Sequence, residues 1–252
     1  MRIARFKIGS RVSFGIVQGQ SVKRIVGTPF SAIKYSGQRF KLGEVKLLAP
    51  CCPSKVVAVG LNYRSHAAEL KYELPESPLI FLKPSTAVIG HEDYIIHPAI
   101  SKQVDYEGEL GVVIGKKAHL IPTTDSFKYV LGYTCFNDVT ARDLQKKDGQ
   151  WTRAKGFDTF AAVGPWIETE LNPSALKLET WLNGELRQSG NTADLIFPVA
   201  ELVSAVSQVM TLLPGDIIAS GTPAGIGSMQ HGDEVEVRIE GIGCLLNRVR
   251  CN

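Results

Sequence analysis

The sequence contains few cysteines, and their spacing is not that of a metal site or a disulfide framework. There are five: Cys51, Cys52, Cys135, Cys244 and Cys251. No CxxC pair occurs among them. An odd number without paired spacing argues against both a zinc site and a disulfide-stabilised fold. Cys135, in the apolar run VLGYTCF, is predicted to be a small core residue.

Long apolar runs and a strong excess of one charge are also missing. No run approaches the roughly 18 apolar residues of a membrane span, and the N-terminal MRIARFKIGSRVSF lacks a signal-peptide core. The 252 residues include 28 basic and 25 acidic ones, for a net charge of +3. This balance does not indicate nucleic acid or a membrane surface as a partner. We therefore expect a cytoplasmic protein.

Nucleotide-binding glycine motifs are absent from the sequence as well. There is no GxGxxG and no alternation of strands and helices, which disfavours a Rossmann domain. GTPAGIG (221–227) is rich in glycine but lacks the Lys-Ser/Thr pair of a phosphate loop. Its backbone, with the Thr222 hydroxyl, would still suit close approach to a small anion.

Short β-branched and apolar segments, separated by turn residues, dominate the chain and predict a mainly β fold with a few helices. Asn183-Gly184 is a hairpin turn signal. The predicted strands include 2–8, 12–18, 21–26, 55–60, 78–84, 130–139, 160–167 and 177–188, followed by DIIASG, DEVEVRIE and CLLNRVR.

Helices and domains are indicated at few places. NYRSHAAELK (62–71) reads as a short helix, and apolar residues at helical spacing predict another from Val199 to Leu213, stopped by Pro214-Gly215. The two prolines of LAPCCPSK (48–55) mark the expected boundary. We predict a small N-terminal β-rich domain over residues 1–52 and a larger domain over 53–252.

Three carboxylates stand at alternate positions in QVDYEGELGVVIG (103–115), beside a run that reads as core strand. If the strand begins at Asp105, then Asp105, Glu107 and Glu109 share one face. Three buried like charges would repel each other or take up protons. A divalent cation would remove this conflict. The alternative at this stage is a solvated strand end, where such charges cost little.

Other polar residues suggest a site, each with a simpler alternative. His66 and Glu69, three apart on a helix, can form a dyad in which Glu69 orients the imidazole, or an incidental surface pair. Asp138 stands at a strand–helix junction, where it is either a site residue or a helix N-cap. Arg142 and Gln145 share one helix face, where they are either site residues or solvated. Lys155 is either a site residue or an exposed lysine.

Six ordered blocks resemble the fumarylacetoacetate hydrolase family, from about residue 55 to the end. They are NYRSHAAEL, FLKPSTAV, DYEGELGVVIG, FNDVTARDLQ, WTRAKGFDTFAAVGPWI and GDIIASGTPAGIG. The chain is most similar to the short branch, which contains acylpyruvate hydrolases, oxaloacetate decarboxylases and 2-hydroxyhepta-2,4-diene-1,7-dioate isomerases. The resemblance implies a mixed β-sandwich rolled into a barrel, and a homodimer.

The resemblance also implies a role for each candidate residue. The metal, Mg²⁺ or Mn²⁺ (with Ca²⁺ as a substitute in crystals), would be bound by Glu107, Glu109 and Asp138. The water-activating dyad would be His66 and Glu69, and Lys155 would be a further catalytic residue. The substrate would contact Arg142, Gln145 and Thr222. Three carboxylates without Cys or His ligands form a hard oxygen site, which suits these metals and not zinc.

The predicted activity is hydrolysis of a C–C bond in an acylpyruvate or related 2,4-dioxo acid, giving pyruvate and a carboxylic acid. The alternatives are an isomerase or a decarboxylase acting through the same enolate, and a non-catalytic, metal-stabilised binding protein. The family's further carboxylate ligand is replaced near Asn62, which favours the short branch. Asp105 is then expected to support the site, as a partner of Lys83.

Substrate length and closure of the site are less defined by the sequence. Arg24, Arg39 and Lys71 are candidates to meet a second substrate carboxylate, with solvated charge as the alternative for each. The charged segment 140–155, with KKDG inside it, is expected to form a lid that orders on binding.

Overall fold

The computed structural model describes residues 1–251. Four α-helices occur in this range: α1 (Arg64–Leu70), α2 (Arg142–Asp148), α3 (Thr152–Lys155) and α4 (Val199–Val209). The strands are β1 (Arg2–Ile8), β2 (Arg11–Gln18), β3 (Ser21–Ile25), β4 (Tyr35–Lys41), β5 (Lys46–Leu48), β6 (Lys55–Gly60), β7 (Leu79–Pro84), β8 (Val88–Ile89), β9 (Tyr94–His97), β10 (Val104–Tyr106), β11 (Gly108–Ile114), β12 (Val130–Asp138), β13 (Thr140–Ala141), β14 (Ala161–Glu168), β15 (Lys177–Leu182), β16 (Glu185–Asn191), β17 (Ile217–Ala219), β18 (Gly227–Met229), β19 (Glu234–Ile239) and β20 (Gly243–Cys251).

These strands form three sheets, of which the two larger ones mix parallel and antiparallel pairing and the smallest is antiparallel. The largest has 12 strands in the path β4-β3-β2-β1-β14-β12-β11-β17-β6-β7, with β5 paired to β1 and β8 to β14. A five-stranded sheet has the order β16-β15-β19-β20-β9, and a three-stranded sheet the order β13-β10-β18. The mainly β fold class is confirmed. Across the described residues, no strand pairing closes any of these sheets into a barrel.

The apolar run of β11 is continuous because both of its faces are buried. Leu110, Val112 and Ile114 pack with α4 and with the five-stranded sheet, in the largest core cluster. Val113, on the opposite face, packs in a second cluster with N-terminal residues such as Ile3. A strand covered on both sides needs no polar face, which explains why this segment does not alternate.

Most predicted elements are confirmed, including the hairpin, where Asn183 and Gly184 both have positive φ. The helix predicted from Val199 to Leu213 was wrong at its end, because α4 stops at Val209. Met210 is extended, and Leu212 forms a β-bridge with Ala118. This contact with a distant segment outweighs the helical spacing of the apolar residues.

The N-terminal strands are joined to the rest of the chain by strand pairing. β1 pairs antiparallel with β14, with Arg2 opposite Glu168 and Ile3 opposite Ile167. The proposed division of the chain at residue 52 stays a prediction. None of the helices in the described residues is long and apolar enough to cross a bilayer.

Asp216 links the start of β6 to the loop that precedes β17. Its buried carboxylate accepts hydrogen bonds from the Ser54 backbone N–H at 2.9 Å, the Ser54 hydroxyl at 2.7 Å, the Lys55 ammonium at 2.5 Å and the Leu213 N–H at 2.9 Å. Burial alone raises the pKa of this carboxyl, but the bonds from Lys55, Leu213 and Ser54 outweigh it and hold the pKa below its usual value.

We expect Asp216→Asn to lower the free energy of unfolding at pH 7 by about 2–4 kcal/mol, because the amide leaves buried donors without an acceptor. A lowered folded-state pKa stabilises the fold above the unfolded-state value of about 3.9 and loses this effect as the pH falls through the folded-state pKa. Urea unfolding should therefore show the difference narrowing below about pH 4. Asp158→Asn, at an exposed carboxylate, is the control. A difference unchanged between pH 7 and pH 3 would contradict this assignment.

Candidate active site

The three carboxylates of DYEGE are placed by a break between two strands. β10 ends at Tyr106 and β11 begins at Gly108, in a different sheet, so Glu107 lies between strands. The condition that one strand begins at Asp105 and carries all three carboxylates is therefore not met. The Glu107 N–H donates to Asn137 Oδ1 at 3.0 Å, and Glu107 O accepts from the Asp138 N–H at 2.9 Å. These two hydrogen bonds fix Glu107, between β10 and β11, to the last two residues of β12.

Glu107, Glu109 and Asp138 converge on one point. Each offers a carboxylate oxygen, and these oxygens lie within 4.8 Å of one another. All three side chains are buried. Asp138 is the last residue of β12, and α2 begins only at Arg142, with Ala141 at its N-cap. The alternative of Asp138 as a helix N-cap is therefore wrong.

Two buried lysines neutralise part of this charge. Lys155 Nζ lies 2.9 Å from Glu107 Oε2 and 2.6 Å from Asp138 Oδ2, and its side chain is 3% exposed. The alternative of an exposed Lys155 is therefore wrong. Lys83, fully buried on β7, donates to Asp138 Oδ1 and to the Val139 carbonyl. The sequence block FLKP contained this lysine but gave no sign that Asp138 is its partner.

Arg142 donates hydrogen bonds both to Asp105 and to Glu107 of the triad, and so links the two carboxylates. Its Nε donates to Asp105 Oδ2 at 2.8 Å, and its Nη2 donates to Glu107 Oε1. The expectation that Asp105 pairs with Lys83 was wrong, because Arg142 is its cation. Nη1 of Arg142 donates to Gln145 Oε1 at 2.5 Å. The amide nitrogen of Gln145 therefore remains available as a donor.

The charges differ in how well they are compensated. Burial raises the pKa of Glu107, but Lys155 and Arg142 outweigh it and hold the pKa well below normal. Burial, followed by the charges of Asp138 and Glu107, raises the pKa of Glu109 well above normal. Burial lowers the pKa of Lys155, yet the two carboxylates raise it overall, so the ammonium stays charged at neutral pH.

Glu109 is thus the member of the triad that has no cation. No ion pair among residues 1–251 includes it, and its hydrogen-bond donor is the Gly221 N–H, 2.8 Å from Oε2. Gly221 has φ +96°, and a Cβ there would lie 2.7 Å from Asn62 Cβ. Asn62 itself is buried and bonded to backbone groups of Phe197 and Ser220, so its role is structural.

The predicted dyad forms within α1. His66 Nδ1 lies 3.0 Å from Glu69 Oε2, and the imidazole is 9% exposed. The other oxygen of Glu69 accepts from the Gly225 N–H at 3.1 Å, which connects the dyad to the glycine-rich loop. With Nδ1 held by the carboxylate, Nε2 is the ring nitrogen free to exchange a proton.

A cavity of about 550 Å³ brings these groups together. Thr222 lines it and is fixed by a bond to the Gly108 carbonyl at 2.9 Å and one from Gln188 at 2.8 Å. Of the predicted site residues, all but Glu69 line this cavity: His66, Glu107, Glu109, Asp138, Arg142, Gln145, Lys155 and Thr222. The three candidates for a second carboxylate, Arg24, Arg39 and Lys71, do not.

Sequence reasoning missed several other cavity residues. Phe81 on β7 and Trp151 before α3 meet edge-to-face, with ring centroids 5.1 Å apart. Trp151 precedes Lys155 by four residues, a helical spacing that could have placed it beside the site. Lys146 also lines the cavity. The segment 140–155 forms β13, α2 and α3 there, and its role as a lid stays a prediction.

The donor set fits a hard divalent cation. Three converging carboxylate oxygens are the ligands that Mg²⁺ and Mn²⁺ prefer. Because Glu109 is buried without a cation, a metal ion would compensate a charge that the chain leaves open. The residues present therefore fit such an ion.

Comparisons with known proteins show the family to which the chain belongs. Residues 55–250 match the fumarylacetoacetate hydrolase C-terminal family model, and residues 1–50 match the Rv2993c-like N-terminal model. The oxaloacetate tautomerase YisK of Bacillus subtilis is 44% identical over 225 residues, covering 83% of this chain and 75% of that protein.

Two similar solved structures each align with this chain over 100% of its length and over 100% of their own length. The 5-carboxymethyl-2-hydroxymuconate delta-isomerase of Mycobacterium smegmatis is 46% identical, with a TM-score of 0.95. The maleylpyruvate hydrolase of Sphingobium sp. SYK-6, solved with manganese(II) and pyruvate, is 30% identical, with a TM-score of 0.83. The matched family model spans most of the chain, and the chain therefore belongs to the fumarylacetoacetate hydrolase family.

Proposed function

We propose that the protein is a divalent-metal-dependent enzyme that acts on a small 2-oxo acid through its enolate. The observation that carries this proposal is the buried carboxylate triad, open to a cavity that also contains a lysine and a histidine–glutamate dyad. Glu107, Glu109 and Asp138 would hold Mg²⁺ or Mn²⁺. When bound, the ion would supply Lewis-acid stabilisation to the 1-carboxylate and 2-keto oxygens of the substrate.

The finer proposal is hydrolysis of the C–C bond of a 2,4-dioxo acid, as in an acylpyruvate. His66, oriented by Glu69, accepts a proton from water at Nε2, and the hydroxide adds to the distal carbonyl carbon. The C–C bond then breaks and releases a carboxylic acid and the enolate of pyruvate. The proton held by His66 returns to the enolate carbon, which completes pyruvate.

The other cavity residues fit complementary roles. The free amide N–H group of Gln145 is a candidate donor to the oxyanion that forms at the distal carbonyl. Lys155, held in its charged form by Glu107 and Asp138, contributes positive charge to the enolate and is not a base. Thr222, in the glycine-rich loop, and Arg142, on α2, also line the cavity and would contact the substrate.

A second candidate is keto–enol tautomerisation or double-bond isomerisation of a 2-oxo acid. It is favoured by two relatives, an oxaloacetate tautomerase that is 44% identical and a 5-carboxymethyl-2-hydroxymuconate delta-isomerase that is 46% identical. These reactions move a proton between carbon and oxygen or between two carbons, and they need no activated water. Decarboxylation is distinguished from both by release of CO₂.

The metal proposal predicts how Glu109→Gln behaves in thermal melts. Wild type should gain stability with Mn²⁺ or Mg²⁺, by about 2.7 kcal/mol at 100 times the dissociation constant. The variant should lose this gain while keeping or raising its metal-free Tm, because an uncompensated buried charge is removed. Glu201→Gln, at an exposed position on α4, is the control. An unchanged metal response in Glu109→Gln would contradict the proposal.

The reaction proposal predicts turnover of acylpyruvates that EDTA abolishes and Mn²⁺ or Mg²⁺ restores. His66→Ala should reduce kcat for hydrolysis by about 10²–10⁴-fold, as expected for loss of a general base. Oxaloacetate tautomerisation should fall less in the same variant. His119→Ala, exposed and outside the cavity, is the matched control.

Product analysis separates the candidates. Hydrolysis yields pyruvate and an acid, decarboxylation yields CO₂, and isomerisation leaves the mass unchanged. Full hydrolysis by His66→Ala, or full turnover in EDTA, would contradict the assigned roles. Metal binding without turnover of any 2-oxo acid would favour the non-catalytic alternative.

A further inference from the structure

The cavity contains one lysine that the proposed reaction does not use. Its cationic side chains are Arg142, Lys146 and Lys155, besides the imidazole of His66. Arg142 is held by Asp105 and Glu107, and Lys155 by Glu107 and Asp138. Lys146 takes part in none of the ion pairs formed among residues 1–251. It is therefore the cavity cation available to an anion from outside.

Lys146 lies at the outer end of the cavity, on the same helix as Arg142. It follows Arg142 by four residues in α2, so the two side chains share a helix face about 6 Å apart along the axis. Arg142 contacts the carboxylate triad and is largely buried, whereas Lys146 is exposed. Arg142 thus marks the inner end of the cavity and Lys146 its rim.

Part of the cavity wall is apolar. Leu79, Phe81 and Trp151 line it, and the two rings pack edge-to-face. Trp151 can approach the cavity because residue 60 is glycine, where a Cβ would lie 2.7 Å from the indole ring. A hydrocarbon segment fits this wall better than a polar one does.

The size of the cavity points to the same kind of ligand. A volume of about 550 Å³ falls within the usual range of pockets that hold extended small molecules. Pyruvate alone, bound at the triad, would fill only part of this volume. A longer carbon chain with a second anionic group would cover more of the apolar surface and pair with Lys146.

We infer that Lys146 binds the distal carboxylate of a dicarboxylic 2-oxo acid, so that it selects dianionic substrates over monoanionic ones. This rests on the proposed function, because it places the 2-oxo acid end of the ligand at the triad. The candidates suggested by the sequence, Arg24, Arg39 and Lys71, lie outside the cavity. In this proposal Lys146, and not one of these three residues, meets the second substrate carboxylate.

The direct test compares two ligands of equal chain length, 2-oxoadipate and 2-oxohexanoate, which differ in the distal carboxylate. Calorimetric binding in the presence of Mn²⁺ should show that wild type prefers 2-oxoadipate by about fivefold, as for a single solvent-accessible ion pair. The preference should shrink at high salt. Lys146→Ala should abolish it, and Lys146→Arg should retain it.

Lys147→Ala is the matched control, because Lys147 is the adjacent exposed lysine of α2 and does not line the cavity. It should leave the preference unchanged. A preference that persists in Lys146→Ala, is equally lost in Lys147→Ala, or is absent from wild type would overturn the inference. Failure of both ligands to bind would overturn it as well.

Turnover distinguishes failure of this inference from failure of the proposed function. With 2,4-dioxoheptanedioate and 2,4-dioxoheptanoate as substrates, Lys146→Ala should raise KM about fivefold for the diacid alone and leave kcat unchanged. Turnover of both substrates with equal KM in wild type would overturn the inference and leave the function standing. A Lys146-dependent binding preference without turnover of either substrate would overturn the function and support the inference.

Discussion

Burial of three carboxylates within reach of one another is the constraint on which this site depends. Glu107 and Asp138 are compensated by Lys155, and Lys83 and Arg142 each add a further contact. Glu109 is left with a single backbone donor and a raised pKa, caused by burial and by its two acidic neighbours. An arrangement of this kind costs stability unless a cation completes it.

The fold places these charges by interrupting a strand, not by extending one. Between β10 and β11 the chain changes sheet, and the Asn137 side chain satisfies the Glu107 N–H at the break. The buried run of β11 then anchors the site in the main core. Glu69 ties the His66 imidazole to the glycine-rich loop. The same loop holds Glu109 through the Gly221 N–H, so the carboxylate triad and the histidine–glutamate dyad share this support.

The sequence predicted the mainly β class, the hairpin at Asn183-Gly184 and most of the polar residues that line the cavity. It predicted the local pair of His66 and Glu69 but not which charges pair between distant segments. Lys83 meets Asp138, and Asp105 meets Arg142, across 55 and 37 positions of sequence. Such pairing depends on strand register and sheet order. The early end of α4 has the same origin, since Leu212 pairs with Ala118.

The central proposal for this site is that Glu107, Glu109 and Asp138 bind one divalent ion at which a 2-oxo acid is held. Crystals soaked with Mn²⁺ and oxalate test this claim most directly through the anomalous signal of manganese. We predict a single strong peak in contact with an oxygen of each carboxylate, and oxalate bound to the same ion inside the cavity. A peak elsewhere on the protein, or a cavity in which only Lys155 contacts the carboxylates, would contradict it.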